Sequence, residues 1–271
     1  MKLFGALALL FMLGISACNS KANPPEPDRM EGLIFRYFPR ECTRILTLPM
    51  ETRRQVAPGS SYYGDVVVGE EGVEARKFLY WLMTGAGDLD SLELHYSELR
   101  GRLYEEIYHR DHFRAELAPN IPPLESQLFD DYRLAGVKSR RMQSSSSIIP
   151  QANLEPWEYR VTGVKDFKIM ALTPLFGLPA ETSLNHFFAF HEFKPKQIIS
   201  HESKRLVWGY RSEDRVTSID QWLSMRPMAQ PVMMLRLNAV PQEVPVKTRF
   251  VTVLTTMEGK ELRDTLQVLL K

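Results

Sequence analysis

The sequence predicts an α+β protein, with an antiparallel immunoglobulin-like β-sandwich in its C-terminal half and a helical hairpin in its N-terminal portion. Short β-prone runs recur between turn residues from about residue 126 onward, which is typical of a sandwich. Between residues 75 and 117, apolar residues recur instead at helical spacing. We therefore predict an α-rich region over residues 33–125 and a β-sandwich-like domain over residues 126–271.

The first eighteen residues have the pattern of an export signal. Lys2 precedes an uncharged apolar run from Leu3 to Ile15, which is too short to span a bilayer. The ending Ile15-Ser16-Ala17-Cys18 resembles the lipobox of bacterial lipoproteins. This resemblance implies a signal peptide over residues 1–17, cleavage before Cys18, and lipidation of the Cys18 sulfur and of the new amino group. More than one acyl chain is what stable anchoring to a membrane requires.

Residues 18–32 follow as a predicted flexible tether, because they are polar and rich in proline. In lipoproteins, an Asp directly after the lipidated cysteine retains the product at the inner membrane. Asn19 occupies that position here. The resemblance therefore implies the outer membrane of a Gram-negative cell envelope, with the lipid at the N-terminus as the membrane contact.

Charge and cysteine content narrow the class of protein. The chain has 34 Lys and Arg residues against 33 Asp and Glu residues, and Lys2 is the one charge in residues 1–17, so the exported part is balanced. A nucleic-acid-binding protein carries a basic footprint, which this composition does not show. Once Cys18 is lipidated, Cys42 is left without a partner for an intrachain disulfide. We interpret Cys42 as a buried small hydrophobe rather than a nucleophile.

Within residues 33–125, we predict two strands and then two helices. Leu33–Phe38 and Ile45–Leu48 are β-prone runs that end at prolines. The first helix carries Ala75, Phe78, Leu79 and Leu82 on one face and ends at the glycines that follow.

The second helix begins at Asp90, which forms a capping box with Glu93, and its apolar stripe continues to about Leu117. Three prolines, at positions 119, 122 and 123, would end it. The short connection between the two helices favours an antiparallel hairpin.

In the C-terminal half, we predict strands at 158–172, 206–211, 232–238, 247–256 and 261–270. Glu258-Gly259 supplies the tight turn between the last two strands. Two helical turns interrupt the strands: Ser183 would cap one, and Ser218 with Gln221 forms a capping box for the other.

One short segment is nearly repeated. Residues 131–138 (DYRLAGVK) recur as residues 158–165 (EYRVTGVK). A duplicated strand–turn unit would explain the similarity, and chance resemblance is the alternative.

The standard catalytic motifs of hydrolases, nucleotide-binding proteins and zinc proteases are missing from the sequence. Two sets of residues are candidate metal ligands. Glu105, His109 and His112 would share one face of the second helix, and carboxylate plus imidazole suits zinc or iron. A polar helix face turned to water is the alternative that we prefer.

The second set comprises His186, His191 and Glu192, with His201 nearby. Because phenylalanines surround these histidines, we favour partly buried rings over ligands. We therefore predict no metal, no cofactor and no catalytic residue.

Aromatic residues suggest a different kind of site, because flat rings pack on the apolar faces of sugars while Tyr and Trp keep a polar group. Core packing is the alternative, and we favour it for most of the rings. The candidates are Tyr62, Tyr63, Trp157, Tyr159, Trp208, Tyr210 and Trp222.

The lipobox at Cys18 together with the stretches Trp157–Lys165, Leu175–Gly177 and Gln221–Met228 resembles uncharacterised cell-envelope lipoproteins of Bacteroidetes-type bacteria. The resemblance implies an envelope location and a β-sandwich-like domain. We expect a lipid-anchored module that binds a protein or glycan partner and no nucleic acid. The alternatives are a metal-dependent hydrolase that uses one of the Glu/His sets and a structural component of the envelope.

Overall fold

Strands form most of the folded chain, and most of them pair antiparallel. The computed structural model describes residues 37–52, 64–66, 72–85, 118–142, 157–191 and 195–271. All of them belong to one compact unit. The strands are β1 (Tyr37–Arg40), β2 (Arg44–Thr52), β3 (Gly64–Val66), β4 (Phe78–Gly85), β5 (Trp157–Arg160), β6 (Val164–Ala171), β7 (Phe188–Phe190), β8 (Ile198–Ser200), β9 (Arg205–Trp208), β10 (Val232–Leu237), β11 (Val246–Thr256) and β12 (Glu261–Leu270). The described α-helices are α1 (Pro122–Met142) and α2 (Ile219–Ser224).

The strands form two larger sheets and two short pairs. One sheet has the order β3-β2-β4-β10-β7, and the other has the order β12-β11-β6. The first of these takes strands from both sides of the boundary predicted at residue 125. Strands β8 and β9 pair antiparallel, whereas β1 and β5 pair parallel.

The two larger sheets pack face to face through aromatic side chains. The Phe78 ring on β4 stacks on the Phe250 ring of β11, with 5.9 Å between the ring centroids. Tyr80, also on β4, meets Phe250 and Phe188 edge to face. Because side chains alternate along a strand, Leu79 and Trp81 lie on the opposite face of β4, where they are also buried.

The β-rich, mainly antiparallel class is confirmed, whereas the immunoglobulin-like sandwich and the helical hairpin are not. The first predicted helix of that hairpin is wrong, because Phe78–Gly85 is strand β4 between β2 and β10. All eight of its residues are buried. The spacing of apolar residues does not distinguish a buried strand from a buried helix when the apolar run is continuous and of this length. The second predicted helix, over residues 90–117, lies outside the described residues.

The prediction of β structure from residue 126 is also wrong at its start. Residues 122–142 form helix α1, and Pro122 and Pro123 begin it instead of ending an earlier helix. Proline is tolerated in the first turn of a helix because the N–H groups there have no partner within the helix. The repeated segment is consequently no duplicated unit: its first copy is helical, and its second copy spans β5 and β6.

The prediction that the first two strands end at prolines is wrong as well. Pro39 and Pro49 lie inside β1 and β2 rather than at their ends. On one of its two edges, β2 pairs only with β3, through Met50–Thr52. No described strand therefore lies beside Pro49 on that edge. A proline is tolerated where a strand lacks a neighbour on one side.

The later strands follow the prediction closely. Strands β5, β6, β9, β10, β11 and β12 lie within or close to the predicted segments. Gly259 has a φ of 85° in the turn between β11 and β12, a conformation that favours glycine. The Ser218 hydroxyl accepts the Gln221 N–H at 3.1 Å and caps α2. The Gln221 side chain accepts the N–H of Thr217, one residue before the cap.

The predicted cap at Ser183 is wrong, because the 3₁₀ turn there spans Asn185–Phe187 and has no side-chain cap. The Asn185 side chain pairs instead with the edge of β6 that faces away from β11. Its amide oxygen accepts the N–H of Ile169 at 3.0 Å, and its amide nitrogen donates to the carbonyl of Phe167 at 2.7 Å. The asparagine thus extends the backbone contacts that residues 181–184 make with the same edge of β6.

Candidate functional site

Most of the residues predicted as ligands or modification sites lie outside the described part of the chain. Cys18, Glu105, His109, His112 and Glu192 belong to this group. Of the other candidates, His186 is exposed in the 3₁₀ turn, and His191 is half-buried directly after β7. His201, named with them, is half-buried in the turn between β8 and β9. Within the described ranges, no group of three or more His, Cys, Asp or Glu residues is placed to hold a metal ion.

The interpretation of Cys42 as a buried residue is confirmed. Its side chain is 4% exposed, and its N–H donates to the Thr162 hydroxyl at 2.8 Å. Burial raises the pKa of the Cys42 thiol to about 11, although the nearby Arg160 guanidinium opposes this rise. A thiol with such a pKa is almost fully protonated at neutral pH and is a poor nucleophile.

A buried group of three charges lies beside Cys42 and joins β1, β5 and β4. The Nε of Arg40 lies 2.8 Å from one carboxylate oxygen of Glu158, and the Nη1 of Arg160 lies 3.1 Å from the other. Arg160 also donates to the carbonyl of Thr84 through Nη2 at 2.6 Å. Buried ions are stable only when they are paired and hydrogen-bonded. The group fixes the β1–β5 pair to the end of β4.

Helix α1 is attached to β9 and to the turn that follows it by two polar side chains one helical turn apart, Gln127 and Asp131. The Gln127 side chain accepts the N–H of Leu206 at 3.0 Å. The Asp131 carboxylate, which is 5% exposed, accepts the N–H groups of Tyr210 and Arg211 at 3.0 and 3.2 Å. Because these residues lie four positions apart, both face the strand.

Gly209 allows this close approach of α1 to the turn after β9. A Cβ atom added at Gly209 would overlap a carboxylate oxygen of Asp131. The Gln197 side chain donates to the same carboxylate at 2.9 Å. Asp131 therefore accepts three hydrogen bonds, which hold the turn in one conformation.

Two tyrosines are exposed where α1 and this turn meet. Tyr132 is 37% exposed and Tyr210 is 38% exposed, and each follows a residue of the Asp131–Gly209 contact. Their ring centroids lie 6.1 Å apart, with 68° between the ring planes. We call Tyr132 and Tyr210 the tyrosine pair. It is the candidate functional site of the described part of the chain.

Most of the other aromatic candidates pack in the core or lie outside the described residues. Tyr159 and Trp222 are buried, which confirms core packing for them. Trp208 is half-buried, and its indole N–H donates to the carbonyl of Asp214 at 2.7 Å. Tyr62 and Tyr63 lie outside the described residues, as does the side chain of Trp157.

Sequence reasoning missed Tyr132 because it placed residues 126–271 in a β-sandwich-like domain and predicted no helix there at residue 132. The helical spacing of the buried Leu124, Leu128 and Asp131 directly after two prolines would have predicted α1.

No protein-family profile, curated protein or solved structure matches this chain. Among the described residues, no helix combines the length and the apolar character needed to cross a membrane.

Proposed function

We propose that this chain is a lipid-anchored protein of the bacterial cell envelope whose folded part binds a protein or glycan partner and catalyses no reaction. The observation that carries the proposal is the pattern of residues 1–18, in which a basic residue and a short apolar run lead to Ile15-Ser16-Ala17-Cys18. The tyrosine pair supports a binding role, because exposed Tyr side chains are enriched where proteins meet partners. The outer membrane is the proposed location, with Asn19 as its sequence signal. An immunoglobulin-like arrangement of the packed sheets belongs to the same proposal.

Lipidation is tested by growing a bacterium that expresses the full chain with an alkyne-labelled fatty acid and detecting the label on the purified protein. We expect the wild-type chain to carry the label and the Cys18→Ala variant to lose it. Cys42→Ala is the matched control, because it removes the other thiol and should leave the label unchanged. Mass spectrometry should identify a diacylglyceryl group on an N-terminal peptide that begins at Cys18.

An N-terminal peptide that still begins at Met1, or an unmodified thiol at Cys18, would contradict the proposal. Separation of inner and outer membranes by density then tests the location. An Asn19→Asp variant should shift the protein toward the inner membrane, and an unchanged distribution would contradict Asn19 as the signal for the outer membrane.

A further inference from the structure

We propose that protonation of His201 releases the turn between β8 and β9 from the neighbouring part of the fold. His201 is the first residue of that turn, and it is half-buried. Histidine is the side chain whose ordinary pKa lies closest to neutral pH, so a small change in acidity changes its charge. The proposed change requires no ligand and does not depend on the lipid anchor.

The His201 ring lies against a stretch of backbone that carries no side chain. A Cβ atom added at Gly163 would overlap two ring atoms of His201, Cγ and Cδ2, and also the Cγ atom of Met257. Gly163 directly precedes β6, and Met257 begins the turn between β11 and β12. The imidazole ring therefore fills the space where the β8–β9 turn meets two other segments of the chain.

Backbone contacts hold the same junction together. The His201 N–H donates to the Arg226 carbonyl at 2.8 Å, and the Met257 N–H donates to the Gly163 carbonyl at 3.0 Å. Gly163 also forms a β-bridge with Met228, close to Arg226 in the sequence. The packing of the His201 ring thus supplements a set of backbone contacts, and a charge on the ring would act on all of the joined segments.

Two residues of this junction have a strained backbone. Lys204, in the β8–β9 turn, has a φ of 54°, and Arg226 has a φ of 48°. Residues other than glycine keep such a conformation only when the surrounding contacts hold it. Loss of the His201 contact would allow both segments to relax, which favours release once the ring is charged.

The charged groups around His201 belong to several segments. Lys204 lies in the same turn, and Glu258 lies in the turn between β11 and β12. Burial and the Lys204 ammonium lower the pKa of His201 below its usual value, whereas the Glu258 carboxylate opposes this change. The exposed side chains of Glu202 and Arg226 pair with each other at 2.6 Å. The charged form of the ring is therefore disfavoured while the turn stays in place.

The direction of the pH effect follows from this lowered pKa. In the released turn, His201 regains its ordinary pKa of 6.5, so the released state takes up a proton more readily than the closed state. The closed state is fully favoured above that value and loses its advantage as the pH falls below it. Burial also lowers the pKa of Lys204, whereas Glu258 and Glu41 act in the opposite direction. Both carboxylates favour a charged Lys204 beside the ring.

The β8–β9 hairpin is part of the support of the candidate site. Ile199 on β8 packs in a small apolar cluster with Leu124 and Leu128 of α1. Strand β9 leads into the turn with Tyr210, whose N–H the Asp131 carboxylate accepts. Release of the β8–β9 turn would loosen the attachment of α1, and acidity would thereby act on the tyrosine pair.

The test measures amide hydrogen exchange of the full-length chain, purified in detergent, at about pH 5 and about pH 7.5, on either side of the ordinary histidine pKa. After correction for the intrinsic exchange rate, we expect the amides of residues 198–208 to exchange severalfold faster at the lower pH, while those of β11 and β12 change little. His201→Gln stays neutral and should abolish the difference. His186→Gln is the matched control, because His186 is exposed in another turn, and should preserve it.

Nuclear magnetic resonance of the His201 ring gives a second measurement. We expect the midpoint of its titration to lie below 6.5. Glu258→Gln should lower the midpoint further, because burial and Lys204 are then unopposed. Gly163→Ala should speed exchange of residues 198–208 at both pH values, because the added Cβ atom displaces the ring.

Three outcomes would overturn the proposal. One is a His201 midpoint at or above 6.5. Another is a His201→Gln variant whose exchange depends on pH as in wild type. The third is equal acceleration of β11 and β12 at the lower pH, which would assign the effect to global unfolding. A pH-dependent turn in a chain whose Cys18 carries no lipid would refute the anchor and leave the role of His201 standing.

Discussion

The carboxylate of Asp264 accepts both the backbone N–H and the hydroxyl of Thr47, at 2.6 Å in each case. Asp264 lies on β12 and Thr47 lies on β2, so this contact connects the two packed sheets. Thr47 is 4% exposed, so bulk solvent has little access to its two donors. Nearby, the hydroxyl groups of Tyr80 and Thr252 lie 2.5 Å apart and form a second polar contact between the sheets.

Replacing Asp264 should therefore destabilise the protein strongly. Asp264→Ala leaves two donors of Thr47 buried without an acceptor, and we expect the free energy of unfolding to fall by about 3 kcal/mol. Urea denaturation followed by circular dichroism measures this change. Glu261→Ala is the control on the same strand, because Glu261 is exposed and pairs with Arg263 at the surface. It should cost about 0.5 kcal/mol or less, and equal losses in the two variants would contradict the role of Asp264.

The edge of β6 offers a second test, since Asn185 both accepts from Ile169 and donates to Phe167. Asn185→Ala should lower the free energy of unfolding by about 2 kcal/mol, because both backbone groups lose their partner. Asn185→Asp keeps the acceptor but places a carboxylate against the Phe167 carbonyl, so it should not restore stability. Asn238→Ala removes a single exposed bond to the carbonyl of His186 and serves as the control. If Asn185→Asp unfolded at the same urea concentration as wild type, the hydrogen bond donated to the Phe167 carbonyl would contribute nothing to stability.

Stability should depend on pH through Glu243. Its carboxylate accepts the N–H of Phe176 at 2.9 Å and that of Gly177 at 2.7 Å, in a turn where both residues have positive φ. Burial raises the pKa of Glu243, but these hydrogen bonds outweigh that effect and lower it below the usual value. A lowered pKa in the folded state means stabilisation that is present above the unfolded-state pKa and lost as the pH falls through the folded-state pKa.

Glu243→Gln should accordingly unfold at lower urea concentration than wild type at pH 7, and the two curves should converge as the pH falls through the lowered folded-state pKa of Glu243. A constant difference between the proteins over this pH range would contradict the charge-dependent role of the carboxylate.

The thiol of Cys42 should resist alkylation in the native protein. Its 4% exposure and its pKa of about 11 both limit reaction with iodoacetamide at pH 8. We expect peptide mass spectrometry to find Cys42 unmodified after treatment of the folded chain and fully alkylated after treatment in urea. Rapid modification under native conditions would show that the residue is reactive and would reopen a nucleophilic role.

Local patterns predicted the elements whose formation depends on neighbours in sequence. The β11–β12 hairpin needs a turn at Gly259 and alternating apolar residues, and both are visible in the sequence. The cap of α2 likewise joins Ser218 and Gln221, three residues apart. Such signals are short in range and follow from backbone geometry.

The parts of the fold and of the site that could not be predicted depend on contacts between residues that are far apart in the sequence. Thr47 and Asp264 are 217 positions apart, and Asp131 and Tyr210 are 79 positions apart. No spacing rule connects such pairs, because the topology of the whole chain brings them together. The same holds for β4, whose eight buried residues owe their strand conformation to the neighbours β2 and β10.

The parallel pairing of β1 with β5 has a mechanical consequence if force is applied to the chain before Tyr37, as the proposed lipid anchor would do. Tyr37 is aligned with Trp157 at the start of the pair, and Arg40 is aligned with Arg160 at its end. Tension along the chain that precedes Tyr37 reaches β1 first. A pull along the strand axis loads all the hydrogen bonds between β1 and β5 at the same time. The salt bridge between Arg40 and Glu158, at the C-terminal end of the pair, opposes the same shearing force. Under the anchoring proposed for Cys18, the folded part would separate from its N-terminal segment by cooperative rupture of the β1–β5 pair and not by the loss of one hydrogen bond after another.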